Sequence, residues 1–507
     1  MSAVATHREV ANRGLLVVSV MLATLMQALD TTIANVALPN MQGSLSATQD
    51  QVSWVLTSYI VAAAIATPAT GWLSSVMGRR RLLLIAIGGF TVASVLCGIA
   101  TNIDQMVIFR LLQGLFGAAL VPISQSTLLD VFPREKHGAA MAMWGMGVMI
   151  GPILGPPLGG WLTDTYSWHW VFLINVPIGI LGLIGVAASL PSDDTTPSRF
   201  DWRGFTFLAA GIGALQMMLD RGEQKDWFES AEICIEGALA FLGFYLYVVH
   251  WMTTSKPFVN LGLFKDRNFL ASNGFIFVLG VVLFATMALL PPYLQNLMNY
   301  PVVTTGILLA PRGVGTLFAM MVVGRLLARG ADARALAGIG MVLTAYSLWQ
   351  MVQWGIDVPQ WRIIECGIIQ GLGLGLVFVP ISTIAYSTLP MSTRTEAAGI
   401  FSLMRNIGSS VGISIVMTLL SRGTQINHAE LAERITPYGA PASVLKSMMT
   451  PSGIAALNGE VTRQASAIAF LNDFQLMMWM TVISIPLLLL LKPVKHRIAQ
   501  PAMVADH

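Results

Sequence analysis

Charged side chains inside long apolar stretches are the residues of this sequence best placed to do chemistry, and Asp30 is the clearest of them. It lies in LMQALDTTIANVALP, residues 25–39, where every other residue is apolar or uncharged. A charge within a membrane-spanning helix costs from about 2.5 to well over 10 kcal/mol, so such a residue usually faces a cavity or a partner. A carboxyl group there can bind and release a proton. The pattern favours a proton carrier, and a static hydrogen bond between two spans is the alternative.

Four further charged residues lie in apolar runs and are candidates for the same proton chemistry. Arg110 is near the start of its run, where a snorkelling anchor is the alternative. Arg405 lies well inside FSLMRNIGSS and needs an internal partner, which the sequence does not identify. Asp220 ends its run beside Arg221, so an interfacial ion pair is an equally good explanation. The candidate proton-coupling residues are therefore Asp30, Arg110, Asp220, Arg405 and Glu365.

Polar residues in the same runs mark a candidate substrate cavity. Gln27 and Thr31 flank Asp30 and make a polar patch plausible there. The chain also has 28 methionines and 22 phenylalanines, which suit a pliable apolar pocket for varied ligands, although most of them must pack or face lipid. The candidate cavity residues are Gln27, Thr31, Asn35, Gln113, Arg312, Gln370 and Asn406.

Other kinds of active site find little support in the sequence. No apolar run holds a paired carboxylate or a His/Cys cluster suited to hydrolysis or metal binding. The phosphate-binding pattern GxxxxGK[ST] does not occur, so ATP is not expected to drive the protein directly. Cys97, Cys234 and Cys366 show no metal-ligand spacing and are expected to be buried thiols. We expect no enzyme activity and no cofactor, with energy coming from an ion gradient or from the substrate's own gradient.

The elements that position these residues are membrane spans. The chain has 507 residues, 55% of them hydrophobic and 11% charged, whereas a soluble domain has about 25% charged residues. A bilayer core about 30 Å thick needs about 20 apolar residues of helix. By that rule the sequence predicts fourteen spans, at 15–38, 50–74, 82–101, 105–129, 138–161, 170–190, 203–220, 231–252, 269–295, 303–326, 335–355, 362–388, 397–420 and 473–491.

The distribution of Lys and Arg predicts the orientation of these spans. Loops on the side of the termini hold most of the basic residues, among them Arg79, Arg80 and Arg81, whereas the opposite short loops hold none. Positive loops stay inside, so both termini are predicted to be cytoplasmic in a multi-pass membrane protein. The long segment 421–472 lies outside. Its pieces HAELAERI and GEVTRQASAIAFLNDF are helix-like, and Ala465, Ile468 and Leu471 could form an apolar stripe. A loop over the exit and a docking surface for a periplasmic partner both remain open.

The sequence contains an internal repeat. TGWLSSVMGRRRLLLIAIGG at 70–89 is echoed by VGRLLARGADARALAGIG at 323–340, and LLQGLFGAALVPIS by IIQGLGLGLVFVPIS. Such duplication is typical of secondary transporters, with the substrate site between the repeats. The predicted division is a terminus at 1–14, a six-helix bundle at 15–190, a linker with inserted spans 7 and 8 at 191–268, a second bundle at 269–491 and a tail at 492–507.

Two motifs place glycines in a loop between two spans and on a helix face that can pack closely against a neighbour. GWLSSVMGRRR joins spans 2 and 3, and its residues Gly71, Gly78, Arg79 and Arg80 make a candidate gating loop, although a basic loop alone is more often an anchor. In span 5, glycines recur every fourth residue and offer a smooth face to a neighbouring helix, while prolines bend the helix. This second motif comprises Gly147, Gly151, Pro152, Gly155, Pro156, Gly159 and Gly160.

Together these motifs resemble the fourteen-span drug:proton antiporter branch of the major facilitator superfamily, most closely its EmrB-type subunits. GWLSSVMGRRR is similar to the superfamily's loop 2–3 signature, RLLQG to its span-4 signature, GMGVMIGPILGPPLGG to the antiporter motif and LDTTIANVALP to the span-1 signature of the branch. WHWVFLINVPIG and LQMMLDRGEQKDWFES resemble EmrB-type markers. One departure is Ser75, which stands where the superfamily loop usually has Asp, so the gating salt bridge of that Asp does not carry over.

The resemblance implies an all-α polytopic fold of two six-helix bundles plus two inserted helices. It implies a role for Arg110 in proton coupling, by holding Asp30 ionised. It further implies a proton-driven exporter of hydrophobic or amphipathic toxic compounds that works by alternating access. Such a subunit lies in the inner membrane of a Gram-negative bacterium and is joined to an EmrA-type periplasmic adaptor and a TolC-type outer-membrane channel, with no nucleic-acid partner. The alternatives are a fourteen-span exporter of one endogenous metabolite without an adaptor, and a membrane-embedded enzyme or sensor.

Overall fold

A computed structural model describes residues 12–191, 195, 199–255, 257–435 and 450–492. Within these ranges the chain is helical and contains no strand. The α-helices are α1 (Arg13–Ser44), α2 (Gln49–Ala66), α3 (Ala69–Met77), α4 (Arg79–Gly98), α5 (Ile103–Gly117), α6 (Leu120–Val131), α7 (His137–Thr165), α8 (Trp170–Leu173), α9 (Asn175–Ser189), α10 (Trp202–Arg221), α11 (Ala231–Thr253), α12 (Arg267–Pro292), α13 (Val302–Ala328), α14 (Ala333–Val352), α15 (Gln360–Ser387), α16 (Arg394–Arg434) and α17 (Pro451–Ser484).

These helices confirm the predicted class, an all-α polytopic membrane protein. In the described chain, twelve helical segments are long and apolar enough to cross a membrane, and the bent pair α2–α3 makes a thirteenth. The remaining predicted span is α10, a continuous 20-residue helix that falls outside this set. Its Arg203 and Gln216 lower its mean hydropathy.

One predicted span is sharply bent at a break between two helices. The sequence predicted a single helix over 50–74, but α2 and α3 meet at an angle of 58°. Pro68 lies in the break, and proline has no N–H to continue the hydrogen-bond ladder of a helix. At the end of α12 lie two adjacent prolines, Pro291 and Pro292. The α-helix stops at Pro292 and a π-helical turn follows.

The predicted outer loop 421–472 is largely helical, which corrects its description as a loop. The 41-residue α16 runs without a break to Arg434, and α17 begins at Pro451. At 1.5 Å per residue α16 is about 61 Å long, roughly twice the hydrocarbon thickness of a bilayer. We call residues 421–435 and 450–472 the outer hairpin; residues 436–449 lie outside the described ranges.

Small residues hold the two arms of the outer hairpin together. Val461, Ala465 and Ala469 are buried at spacings of four residues along α17, and a Cβ on Gly423 of α16 would lie 3.3 Å from Cβ of Ala469. The predicted stripe of Ala465, Ile468 and Leu471 is therefore wrong in register, since Ile468 is 39% exposed. A line of residues four apart stays on one helix face, and small side chains let the arms approach closely.

Helices α1–α9 form one packed group, which we call the N-half, and helices α12–α17 form another, the C-half. In the N-half α1 packs on α7 and α9; in the C-half α12 packs on α16, and α13 on α15. The inserted helices α10 and α11 pack on each other, and α10 also contacts α2 and α16, one from each half. This packing is compatible with the predicted domain bounds, which stay a prediction.

The internal repeat is also visible in the backbone. Gly78 and Gly330 are the described glycines with positive φ, at +80° and +89°. Gly78 lies between α3 and α4, and Gly330 lies between α13 and α14, the corresponding turns of the two repeats. Only glycine adopts such a φ without steric cost, so the repeated turn explains the repeated glycine.

One cysteine differs from the expectation. Cys97 and Cys366 are buried free thiols, but Cys234 is exposed. It lies on α11, whose apolar surface faces outward, as the exposure of Ile235, Leu239 and Phe241 shows. An apolar run predicts a membrane span, and it does not predict which side of that span is covered by protein.

Candidate proton-coupling site

Asp30 lies at the centre of a buried polar cluster built by four helices. Its carboxylate is 0% exposed. Arg110 of α5 donates from Nη1 to Oδ2 at 2.7 Å. Gln113, one turn further along α5, donates from Nε2 to Oδ1 at 2.8 Å, and Asn175 of α9 donates to the same oxygen at 3.2 Å. Each of these three side chains donates a hydrogen bond to a carboxylate oxygen, so both oxygens of Asp30 are satisfied.

Arg110 is fixed as firmly as the carboxylate it binds. It is 1% exposed, and its Nε donates to the carbonyl oxygen of Val55 in α2 at 2.9 Å. The guanidinium carbon lies 4.3 Å from the ring centroid of Tyr59 and 5.6 Å from that of Phe172, distances at which a cation is attracted to an aromatic face. The snorkelling alternative for Arg110 does not hold, because the side chain points into the bundle.

Sequence reasoning missed two members of this cluster, Ser94 and Asn175. The Ser94 hydroxyl accepts from Gln113 at 3.1 Å and from Asn175 at 3.0 Å, and donates to the carbonyl oxygen of Phe172 at 2.9 Å. Asn175 stood in the quoted marker WHWVFLINVPIG as the polar residue of an apolar run. The rule that singled out the intramembrane charges would have found it if it had included amides.

The glycine stripe of α7 brings α1 into position. A Cβ on Gly151 would lie 2.4 Å from the carbonyl carbon of Ala28, and one on Gly155 would lie 2.1 Å from Oγ1 of Thr32. Met21 and Ile33 occupy the space that a Cβ would take at Gly147 and Gly159, respectively. Thr32 also donates to the carbonyl oxygen of Gly151 at 3.1 Å. These contacts bracket Asp30, so the stripe sets the height and rotation of the helix that carries it. Gly160 has more room, 3.8 Å to Val36.

The candidate cavity residues on α1 share one helix face. Gln27, Thr31 and Asn35 are four residues apart, and their exposure rises from intermediate at Gln27 to exposed at Asn35. Thr31 donates to the carbonyl oxygen of Ala28 within its own helix at 2.9 Å, so it adds no contact to Asp30. The face leads from the level of Asp30 toward the end of the molecule that bears the outer hairpin.

Two predicted proton-coupling residues lie apart from the Asp30 cluster. Asp220 accepts a hydrogen bond from Thr57 of α2. Its neighbour Arg221 pairs with Glu232 instead, so the expected Asp220–Arg221 pair does not form. Glu365 is exposed on α15.

The C-half presents buried arginines in a different setting. Arg312 of α13 is 8% exposed and donates to the carbonyl oxygen of Leu283 at 3.3 Å. Arg405 of α16 is 7% exposed, its nearest acceptor is Oδ1 of Asn406 at 3.4 Å, and its Nε is buried without a partner. Gln370 is fully buried and makes one long contact, 3.4 Å to Thr286. Among the described residues, neither arginine forms an ion pair with a carboxylate.

Comparison with known proteins identifies the family. The sequence pattern of the Major Facilitator Superfamily matches residues 20–413. The chain belongs to this superfamily. It is 36% identical over 488 residues to the fatty acid resistance protein FarB of Neisseria gonorrhoeae, covering 94% of this chain and 95% of FarB. It is 35% identical over 450 residues to the multidrug export protein EmrB of Escherichia coli K12, covering 87% and 86%.

Two further matches agree with this family. The colistin resistance protein EmrB of Acinetobacter baumannii is 31% identical over 416 residues, 81% of each chain. The crystal structure of the human organic anion transporter MFSD10 superposes with a TM-score of 0.59 at 14% identity, over 92% of this chain and 99% of that one, which shows the shared fold. This member of the major facilitator superfamily is thus a transporter related to multidrug efflux proteins.

The candidate gating loop of this superfamily member lies at an end of the molecule where the two halves are in contact. We call the end that carries Arg79–Arg81 the basic end. Asp130 there is 4% exposed and accepts hydrogen bonds from Arg79 of its own half and from Arg394 of the C-half, the latter at 2.8 Å.

Other contacts join the halves at the basic end. Thr395 donates to Ser126 at 3.2 Å and Tyr386 donates to Gln125 at 3.1 Å. A Cβ on Gly71 would lie 2.9 Å from Cα of Glu396. Ser75 donates to the carbonyl oxygen of Trp72 in its own helix. Among the residues that the structure describes, the ion pair that joins the halves at this end is Asp130–Arg394, and it does not involve position 75.

Proposed function

We propose that this superfamily member is a proton-driven antiporter that exports hydrophobic or amphipathic compounds by alternating access. The observation that carries the proposal is the Asp30–Arg110 pair, in which a titratable group is buried among helices of the N-half. Structural ion pairs on soluble proteins rarely use so costly a location, because each buried charge must be compensated. The related proteins named for multidrug export and for resistance to fatty acids or colistin support the export direction.

In the proposed cycle the charge of Asp30 changes as protons bind and leave along the proton gradient. With Asp30 ionised, its three hydrogen-bond donors, Arg110, Gln113 and Asn175, tie α1 to α5 and α9. Protonation removes the charge that Arg110 neutralises, so this set of contacts weakens and α1 is free to shift along the α7 stripe. Each charge moved through 100 mV supplies about 2.3 kcal/mol, so one or two protons per cycle drive roughly tenfold to thousandfold accumulation.

The proposed orientation places the basic end in the cytoplasm and the outer hairpin in the periplasm of a bacterial inner membrane. The Lys and Arg distribution supports it. In that orientation the structure faces outward, because the inter-half contacts of Asp130, Gln125 and Ser126 close the cytoplasmic end.

The outer hairpin favours a tripartite pump over an exporter that works alone. Two antiparallel arms continue well beyond the thickness of a bilayer, and Arg463 ties them to the rim of the C-half by donating to the carbonyl oxygen of Leu297 at 3.3 Å. A fixed projection of this kind suits docking to an EmrA-type adaptor, which would pass substrate to a TolC-type channel.

Reconstituted vesicles test the exporter proposal. The purified protein is expected to accumulate ethidium inside vesicles, against the ethidium gradient, when the vesicle interior is more acidic than the medium. An ionophore that collapses this pH difference should stop the accumulation. Dye movement that is independent of the pH difference in every buffer would contradict proton coupling.

A shortened hairpin tests the adaptor proposal separately. Gly423 and Ala469 face each other closely, so residues 424–468 can be replaced by a short Gly/Ser linker without separating the two helices. We expect this variant to transport dye in vesicles as wild type does, while losing copurification with the adaptor and resistance in whole cells. Unchanged copurification would contradict a docking role for the hairpin.

A further inference from the structure

We infer that Arg405 and Arg312 are two successive binding positions for the acidic headgroup of the transported compound, so that the preferred substrates are amphipathic anions. The inference rests on the proposed export function and adds the chemical class of the substrate and the residues that recognise it. The chemistry in question is a carboxylate or a similar anion attached to an apolar body.

The first support is the contrast in charge compensation. Arg110 has a carboxylate at 2.7 Å, whereas Arg312 and Arg405, equally enclosed by protein, have only carbonyl or amide oxygens at 3.3 and 3.4 Å. A buried cation without a counter-charge is strongly unfavourable. Two such cations in one half are explained if an anion visits them during the cycle.

The second support is the location of the helices that carry the two arginines. The C-half helices that contact the N-half include α13, α15 and α16, and these carry Arg312, Gln370 and Arg405. The three residues therefore lie on helices of the C-half that border the path between the halves.

The two arginines lie at different heights along that path. Arg405 lies one turn after Phe401, whose ring packs on that of Tyr386, and Tyr386 closes the basic end through Gln125. Arg312 reaches Leu283, one turn from Thr286, the residue that Gln370 contacts. On α12, a Cβ on Gly280 would lie 2.5 Å from the carbonyl oxygen of Arg405, and Leu283, the partner of Arg312, follows about one turn later. Arg405 is thus the position nearer the basic end, and Arg312 is the position nearer the outer hairpin.

The surroundings suit an apolar body behind the headgroup. Phe401 is 1% exposed and lies one turn before Arg405, with its ring centroid 5.7 Å from that of Tyr386. Leu279 and Leu283 line the adjoining turns of α12 and are buried. A guanidinium offers planar, bidentate recognition of a carboxylate, and these apolar neighbours strengthen the attraction by excluding water.

Three amphiphiles with the same chain test the inference: dodecanoate, dodecanol and dodecyltrimethylammonium. In nonionic detergent, dodecanoate is expected to raise the melting temperature of the wild-type protein and to bind more tightly than the other two. Arg312→Gln and Arg405→Gln should each weaken dodecanoate binding by about tenfold or more, leaving dodecanol binding unchanged. The lysine variants should fall between, because they retain the charge and lose the planar fork. Arg329→Gln, on the exposed end of α13, is the matched control and should bind dodecanoate as wild type does.

The outcomes separate this inference from the exporter proposal. Transport of ethidium on a pH difference, together with equal binding of the three amphiphiles, would overturn the anion inference and leave the proposed function standing. Binding of chloride without binding of dodecanoate would also overturn it. Arginine-dependent dodecanoate binding supports the inference even if no pH-driven transport is found, in which case the proposed proton coupling fails alone. The melting temperatures of the unliganded variants show whether each protein is folded.

Discussion

The two halves of this transporter descend from one repeated sequence, yet they treat buried charge in opposite ways. In the N-half, Asp30 and Arg110 neutralise each other and every oxygen of the carboxylate has a donor. In the C-half, Arg312 and Arg405 are buried without a carboxylate among the described residues. A pair that is complete in itself can change state only by taking up a proton, whereas an incomplete site can bind an external charge. The difference indicates a division of labour between proton coupling and substrate binding.

The halves agree, however, in how they pack. In the N-half α7 meets α1 through Gly151 and Gly155. In the C-half, the corresponding α16 meets α12 through Gly408 and Gly412, where a Cβ on Gly408 would lie 2.3 Å from the carbonyl oxygen of Phe277. The scaffold has therefore been retained while the buried charges have diverged.

The largest expected effect is that of breaking the complete pair. Arg110→Met leaves the Asp30 carboxylate buried without its counter-charge, which costs about 3–5 kcal/mol of stability. Thermal unfolding in detergent measures the loss. The double variant Asp30→Asn/Arg110→Met removes both charges and should recover much of the stability without recovering transport. If the single variant melts at the wild-type temperature, the pair is not the tight unit described here.

A smaller effect is expected where both halves rely on glycine. Gly151→Ala forces a methyl group against the backbone of α1 and should cost about 1–3 kcal/mol, together with most of the transport activity. Gly408→Ala should behave alike in the C-half. Gly160→Ala is the control, since its methyl group would lie 3.8 Å from Val36. Equal transport by the Gly151 and Gly160 variants would contradict the role of the stripe.

Much of this scaffold could be predicted from the sequence, because apolar length and rare intramembrane charges are local signals. Asp30, Arg110 and the glycine stripe stand out by residue type alone. Asn175, Asp130 and Arg394 did not, since their importance depends on which helices meet at which height. The two helix-like pieces of the outer hairpin were predicted, but their continuity with the membrane spans was not, because hydropathy marks where a helix leaves the membrane and does not mark where the helix ends.

A modest effect is expected where the halves touch at the basic end. Arg394→Gln removes one of the two cations bound to Asp130 and leaves Arg79 in place. We expect the outward-facing form to lose about 1–2 kcal/mol, roughly a 5–30-fold change in the ratio of the two conformations. Spin-label distances across the basic end measure that ratio. Arg81→Gln, at an exposed arginine of the same end, should leave the distances unchanged; a shift of equal size there would contradict a specific latch.

The smallest expected change in stability gives the sharpest contrast between the two halves. Arg405→Met removes a buried cation that has no carboxylate partner, so the unliganded protein should be as stable as wild type or slightly more stable. Its melting temperature compared with that of Arg110→Met measures the contrast. A loss at Arg405 as large as the loss at Arg110 would indicate an internal counter-charge and would end the distinction between the halves.

Proton-coupled export by Asp30→Asn in vesicles tests the central claim most directly. The variant keeps the shape of the side chain and cannot carry a proton, and Asp104→Asn, at an exposed position on α5, is its control. We predict that Asp30→Asn binds substrate but does not concentrate it on a pH difference, while the control matches wild type. Accumulation by Asp30→Asn at the wild-type level would contradict the assignment of Asp30 as the proton carrier.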